Sequence, residues 1–429
     1  AWLVGVRQSH FTPVDRHDTA MASPAEMIAA VDSEAAAEAI AGVAVRTPMV
    51  GCEDLQEIAG TPIALKAECL QLTGSFKLRG ALHKVAALGD RAAAGLVTAS
   101  AGNHARAVAQ AARVRGISCE VFMPRDASVS KVAAVERLGA SVNLTGASVE
   151  EAVDLARERA DSGGPAFVHP FDDLDVIAGQ GTLGLELIQD VPDLARVVVP
   201  IGGGGLASGI AIALRRAGVD AQIIGVQARV CAPWVSALGG TPEIGGEDLP
   251  AAATIADGIA LKRPGRLTLP LLRELLDGIE TVSEEEIADA MVFLTDRAKL
   301  VAEGAGAVAV AALLSGRLAP VAGTTVAVLS GGNVDSGLLA GLLRRRETEE
   351  GRRVRIFTRV ADRPGGLADL LGLVAGARAN LVSLEHVREA VSLHVRETGV
   401  ELLLETRGPL HTEEVVGTLR DAGYEVLLD

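Results

Sequence analysis

From Gly95 to Ala228 the chain alternates short apolar runs with longer helix-patterned stretches: GLVTAS then HARAVAQAARVRG, SCEVFMP then SVSKVAAVERLG, SVNLTG then SVEEAVDLARERA, RVVVPI then LASGIAIALRRAG, and QIIGVQA. Strand, helix and strand at this spacing require right-handed crossovers, which predicts an α/β fold of parallel sheets with helices on their faces. Upstream, Ser23 to Ile40 has helical composition. Ligands of such folds sit at the carboxyl ends of the strands, where the loops carry glycine.

A different pattern follows the charge cluster RRRETEEGRR at Arg344 to Arg353. The cluster reads as a solvated linker over 344–351. Beyond it, RVRIFTRV, the turn DRPGG, LADLLGLVAGA, NLVSLEHVRE, GVELLLETRG, TEEVVGTLRDAG and YEVLLD follow in order. Strand, helix, strand, strand, helix, strand is the split βαβ arrangement of a ferredoxin-like domain, expected over 352–429. The main domain is expected over 26–343, with a smaller subdomain inserted at about 70–150. Residues 1–25 show no clear period and read as a tail outside the fold.

A formal net charge of -15 argues against a nucleic-acid or anionic-membrane surface, since either would need a basic patch. No apolar run reaches the length of a membrane span, so a cytoplasmic protein with a small-molecule ligand is expected. Cys52, Cys69, Cys119 and Cys231 are scattered, with no CxxC pair and no histidine at metal-ligand spacing. Neither a disulfide framework nor a zinc site follows; small buried hydrophobes do.

Four stretches carry candidate chemistry. In LTGSFKLRG, Leu72 to Gly80, a lysine sits where a helix starts. The positive end of the helix dipole makes that a poor place for a structural cation, so Lys77 is either solvated or wanted as a neutral amine. VVVPIGGGGLASG puts Gly202, Gly203, Gly204 and Gly205 between a strand and a helix beginning near Leu206, a cradle for a single phosphate. There is no GKS or GKT and no GxGxxG spacing. TASAGNHARAVA offers Ser100, Ala101, Gly102, Asn103 and His104 at a strand-to-helix junction suited to a carboxylate; taken alone it is equally a simple N-cap, and His104 a satisfied surface histidine. TTVAVLSGGNVDSG ends a strand at Ser330.

Together GSFKLRGA, SAGNHA, GGGGL, TIADGIA and LSGGN resemble the fold-type-II pyridoxal-phosphate enzymes, and more closely the threonine dehydratase and serine racemase group, over about residues 26–340. The resemblance implies two parallel-sheet subdomains and pyridoxal 5'-phosphate as cofactor. Lys77 would bind the cofactor covalently and act as base at the substrate Cα, with Ser100 a second catalytic residue. Phe76 would lie against the cofactor ring, Asn103 would bond its 3'-hydroxyl, Gly202 to Leu206 would hold its phosphate, and Glu303 would lie nearby. Ser330 would face the pyridine nitrogen, and a hydroxyl there leaves the nitrogen largely neutral, which favours early expulsion of a β-substituent. The implied reaction is loss of water and ammonia from a β-hydroxy amino acid, threonine first and serine second. In the family the cofactor phosphate is placed to protonate the leaving hydroxyl.

Two departures narrow this. Ala101 stands where serine racemases carry a serine, and Gln227 stands where racemase-like members carry a metal-binding Glu, followed by Cys231 and Pro233. A dehydratase with no essential divalent cation is therefore expected. The C-terminal DRPGGLADLL resembles an ACT domain, with Asp362, Gly365, Gly366, Leu367 and Asn380 at its ligand loop, although Asp-Arg-Pro-Gly is also a good plain turn. That resemblance implies isoleucine or valine as effector, a role in isoleucine biosynthesis, and a homodimer or homotetramer. The alternatives are a dehydratase or racemase of serine or 3-hydroxyaspartate, and a non-catalytic amino-acid sensor.

Overall fold

The computed structural model describes residues 23–241, 254–387 and 396–428. By its internal contacts the chain divides into two units, Ala1–Asn333 and Val334–Asp429. The first contains strands β1 (Met49–Gly51), β2 (Ile63–Lys66), β3 (Leu96–Ala99), β4 (Cys119–Met123), β5 (Ser141–Leu144), β6 (Ala166–Phe167), β7 (Leu194–Pro200), β8 (Gln222–Ala228), β9 (Gly278–Val282) and β10 (Thr324–Val328). The larger sheet has the order β1-β2-β10-β7-β8-β9 and the smaller β5-β4-β3-β6. Every neighbouring pair is parallel except β1 with β2 at the edge. Val197, Val198 and Val199 are wholly buried, as strands covered on both faces require.

The helices of this unit are α1 (Pro24–Ala30), α2 (Ser33–Ile40), α3 (Glu53–Ala59), α4 (Lys77–Leu88), α5 (Asn103–Arg115), α6 (Val129–Glu136), α7 (Val149–Asp161), α8 (Leu174–Asp190), α9 (Gly205–Arg216), α10 (Pro233–Ala237), α11 (Thr268–Leu275), α12 (Glu284–Phe293) and α13 (Gly304–Leu314). One core packs α8 and α9 on the larger sheet through Ile177, Leu183, Ile210 and Val199. A second packs α4 and α5 on the smaller sheet through Leu78, Val85, Val108 and Val121. A buried ion cluster ties α4 to β2 and α8. Arg79 donates to Glu68 at 2.8 and 2.9 Å and to Glu186 at 2.6 and 3.0 Å, and Glu186 also pairs with buried Lys66 at 2.6 Å.

Several boundaries differ from expectation. Residues 1–22 lie outside the described residues, but Ser23 caps α1 through a reciprocal bond with Glu26, so residues 23–25 belong to a helix start and not to a tail. Ser23 to Ile40 forms two helices, because Asp32 turns its side chain to cap α2. The smaller sheet continues beyond residue 150 to β6, a strand of two residues too short to display a period. The expected linker 344–351 is mostly helix: α14 (Ser336–Glu349) runs through it, supported by Arg345–Glu349 and Arg346–Glu350 pairs four residues apart. The strands β1, β2 and β9 and the helix α8 had no counterpart in the pattern reading.

The second unit also contains β11 (Arg353–Ala361), α15 (Gly366–Gly376), β12 (Asn380–Val387), β13 (Glu397–Glu405), α16 (Pro409–Asp421) and β14 (Leu427–Leu428). Its antiparallel order β12-β13-β11-β14 is ferredoxin-like, closed over Ile356, Leu370, Leu402, Val415 and Leu419. Gly365 opens α15 at φ +91°, and a Cβ on Gly366 would stand 2.5 Å from the Ala361 carbonyl. Leu367 packs on the core, while exposed Asp362 takes the Arg396 carbonyl at 2.9 Å on its backbone N–H. Asn380 donates to Glu405 at 2.9 Å, and the last residues of the expected strand ending at 389 lie outside the described residues. Among the described residues, no helix is long and apolar enough to cross a membrane.

Candidate active site

Five segments leave the carboxyl ends of β2, β3, β6, β7 and β10 and meet in the first unit. The segment after β2 places Lys77 at the first position of α4, with no side chain capping that helix. Its loop is pinned to the segment after β10: Phe76 N–H donates to the Ser330 carbonyl at 3.0 Å and Gly332 N–H to the Gly74 carbonyl at 2.9 Å. Lys77 Nζ donates to the Pro170 carbonyl at 2.8 Å and lies 5.1 Å from the Phe76 ring centroid. Burial is the largest influence on this amine and lowers its pKa to about 8, although Glu303 pulls the other way. About a tenth of the amine is then neutral at pH 7, far more than at an ordinary lysine.

The segment after β7 is the glycine loop. Gly204 has φ +92°, and a Cβ on Gly203 would stand 2.2 Å from the Phe171 ring. The Gly202 carbonyl accepts from Trp234 Nε1 and the Gly203 carbonyl from Thr268 Oγ1, both at 2.6 Å. With the carbonyls held on that side, α9 begins at Gly205 with no side-chain cap, leaving the first N–H groups at Gly205, Leu206 and Ala207 for an acceptor from outside the helix.

In the segment after β3, Ser100 Oγ accepts from Gly102 N–H at 3.1 Å, and α5 begins at Asn103, also without a side-chain cap. The expectation for the His104 ring needs correction. It is buried, bonded through Nε2 to the Val168 carbonyl at 3.0 Å, and pushed down to about 3, chiefly by burial. Position 104 therefore offers the loop its backbone N–H and not its ring. Asn103 donates through Nδ2 to Glu303 Oε1 at 2.5 Å. Burial, with Asp257 adding to it, raises Glu303 to about 7 against the lowering effect of that bond. Ser330, buried at the start of the segment after β10, holds its hydroxyl only weakly, 3.4 Å from the Ala305 carbonyl.

The fifth segment, His169 to Asp172 after β6, had not been singled out in the sequence. Pro170 receives Lys77, and Phe171 lies against Gly203. Asp172 accepts from the backbone N–H groups of Leu267 and Thr268 at 2.7 and 3.3 Å, which supports the Thr268 bond to the glycine loop. A two-residue strand ahead of HPFDD is the only local signal. The Gln227 amide is committed at both ends: Nε2 donates to the Ile201 carbonyl at 3.2 Å and Oε1 accepts from Trp234 N–H at 3.0 Å.

A family model described as pyridoxal-phosphate dependent enzyme matches residues 40–331. The chain belongs to that family. Its fold is the fold-type-II arrangement of two parallel sheets, and its cofactor is pyridoxal 5'-phosphate. An L-threonine ammonia-lyase of Thermotoga maritima is 44% identical over 404 residues, 93% of this chain and 99% of the relative, so the likeness extends beyond 40–331. A solved threonine deaminase of T.th. is 40% identical with a TM-score of 0.65, covering 71% of this chain and 98% of that one. Maize serine racemase is 33% identical with a TM-score of 0.66, covering 75% and 99%. The residues present suit the family's cofactor: a depressed lysine amine, a glycine cradle that Cβ atoms would fill, and an uncapped helix start for a phosphate.

Proposed function

We propose that this enzyme deaminates L-threonine to 2-oxobutyrate and ammonia, with L-serine as a secondary substrate. The observation that carries the reading is the meeting of a depressed lysine amine, Lys77, with an uncapped glycine cradle and a neutral strand-end serine, Ser330. The names of the threonine-acting relatives support the substrate. In this reading the N–H groups from Gly202 to Leu206 hold the cofactor phosphate, Asn103 bonds the 3'-hydroxyl, Phe76 lies against the ring and Ser330 serves the ring nitrogen. Bound pyridoxal phosphate supplies an electron sink conjugated to the substrate Cα.

The chain's own residues do the rest. The backbone N–H groups of Ala101, Asn103 and His104 hold the substrate carboxylate at the start of α5, where the dipole favours an anion, while those of Ser100 and Gly102 are spent on the Phe122 carbonyl and Ser100 Oγ. Lys77 Nζ, neutral in part near pH 7, takes the Cα proton. One water leaves from Cβ and one returns at Cα as ammonia departs, so threonine balances as 2-oxobutyrate plus ammonia. Ala101 has no hydroxyl to protonate the opposite face of Cα, which disfavours racemisation. Threonine and serine differ by one methyl, worth about 1–3 kcal/mol of discrimination, so both react.

The ferredoxin-like unit is read as an ACT domain that binds isoleucine or valine near Asp362, Gly365, Gly366, Leu367 and Asn380, in a cytoplasmic homodimer or homotetramer. Release of 2-oxo acid is measured from threonine, serine and 3-hydroxyaspartate. Threonine giving the highest kcat/KM supports the assignment, and no release from any of the three would sink it.

A further inference from the structure

Asn333, the last residue of the first unit, joins the segments after β2 and β3 to its own segment after β10. Its Oδ1 accepts from Arg106 Nη1 at 2.5 Å, while its Nδ2 donates to Asn103 Oδ1 at 2.6 Å and to the Thr73 carbonyl at 2.9 Å. A Cβ on Gly74 would stand 2.6 Å from Asn333 Oδ1, so the amide also fills the space beside the Lys77 loop. Asn103 Nδ2 then passes one hydrogen to Glu303 Oε1. This is an ordered chain: Arg106, Asn333, Asn103, Glu303.

The polarity of the chain is set by its ends. Arginine can only donate and the Thr73 carbonyl can only accept, so Asn333 must turn its oxygen toward Arg106 and its nitrogen toward Thr73 and Asn103. Asn103 must then accept on oxygen, which turns its nitrogen toward Glu303. Of the two Nδ2 hydrogens, one goes to Glu303 and the other has no acceptor among the described residues. An asparagine without such a chain can rotate its amide by half a turn with little change in shape, and would then present an acceptor where the donor had been. Half-buried networks of this kind favour one arrangement because a mismatched link leaves two like groups facing each other.

We propose that Asn333 and Arg106 are positioning residues that fix the amide orientation of Asn103, so that an N–H and not a carbonyl faces the cofactor's 3'-hydroxyl. The proposal rests on the reading of Asn103 given above. It concerns the direction of the amide, which no motif states.

The test uses the full-length enzyme and titrates pyridoxal phosphate into cofactor-stripped protein, following the visible absorbance of the bound form and its dissociation constant. N333D keeps the shape of the side chain and the acceptor for Arg106 but opposes an oxygen to Asn103 Oδ1. Cofactor binding weakens about tenfold or more and the visible band shifts in the same sense as in N103A. In the N103A background N333D adds nothing, because it acts through Asn103. R106K, which is still an obligate donor to a single acceptor, stays within roughly threefold of wild type, whereas R106M, in which only the Thr73 carbonyl still orients Asn333, shifts in the same sense as N333D by a smaller amount. Thermal midpoints of the stripped proteins check that the fold is retained.

If N333D and R106M bind cofactor with wild-type affinity and spectrum while N103A does not, the positioning role is overturned and the Asn103 assignment stands. If N103A itself is indistinguishable from wild type, the Asn103 assignment fails and the positioning role with it. An equal loss from N333D with and without Asn103 also overturns the proposal, since Asn333 would then act by another route.

Discussion

Lys77 shows how one position can oppose stability and serve chemistry. Its amine is buried at the start of α4, and that burial lowers its pKa from the ordinary lysine value to about 8 against the pull of Glu303. Between about 8 and the ordinary value, the unfolded chain holds a proton that the folded chain lacks. Stability therefore rises with pH across that window, and the cost of the buried amine is greatest below it. Lys77→Met should abolish turnover yet stabilise the cofactor-free chain at pH 7 by up to about 3 kcal/mol, with the gain fading toward pH 10.5, as denaturant midpoints would report. Glu303 behaves in the opposite sense. Its carboxyl is raised from 4.5 to about 7, so the folded chain takes up a proton across that range and stability falls as pH rises through it. Glu303→Gln should flatten that part of the stability curve of the cofactor-free protein. The motif alone displayed Lys77 as an anomaly; only burial identifies which form the amine takes.

At the scale of elements, α4 carries both Lys77, the proposed base, and, two residues on, the buried Arg79 that anchors the helix between Glu68 and Glu186. Removing the cation leaves two carboxylates and Lys66 in an unbalanced cluster. Arg79→Met should cost about 3–5 kcal/mol in urea unfolding, more than a surface ion pair could. The glycine loop gives a second case. Gly203→Ala drives a methyl into the Phe171 ring, and since Phe171 shares its turn with Pro170, the disturbance reaches the Lys77 partner. A loss of about 1–3 kcal/mol and weaker cofactor binding are expected, measurable by thermal unfolding and cofactor titration. The four glycines were legible as a cradle from their place between strand and helix. Their ceiling was not, because Phe171 follows a strand too short to show alternation.

At the scale of the whole molecule, the two units differ in kind: one is built of parallel sheets with buried strands, the other of a single antiparallel sheet with two helices packed into its core. If the second is the regulatory module proposed above, titrating isoleucine and valine into the threonine assay should change the rate with at least one of them, and Asp362→Ala should weaken that response. No response to either amino acid would remove the regulatory reading while leaving catalysis untouched.

The parallel α/β architecture, the ferredoxin-like unit and the place of the four candidate loops between strand and helix could be read from the order of residues, because hydrophobic period and glycine placement are local properties of the chain. Tertiary structure alone decided which loops meet. It turned His104 into the core, brought the His169 to Asp172 segment onto Lys77 and the glycine cradle, and closed the Arg106, Asn333, Asn103 and Glu303 chain across positions as far apart as 103 and 333. Hydrogen-bond partners separated by that many residues leave no period in a sequence; their meeting is set by the sheets that carry them.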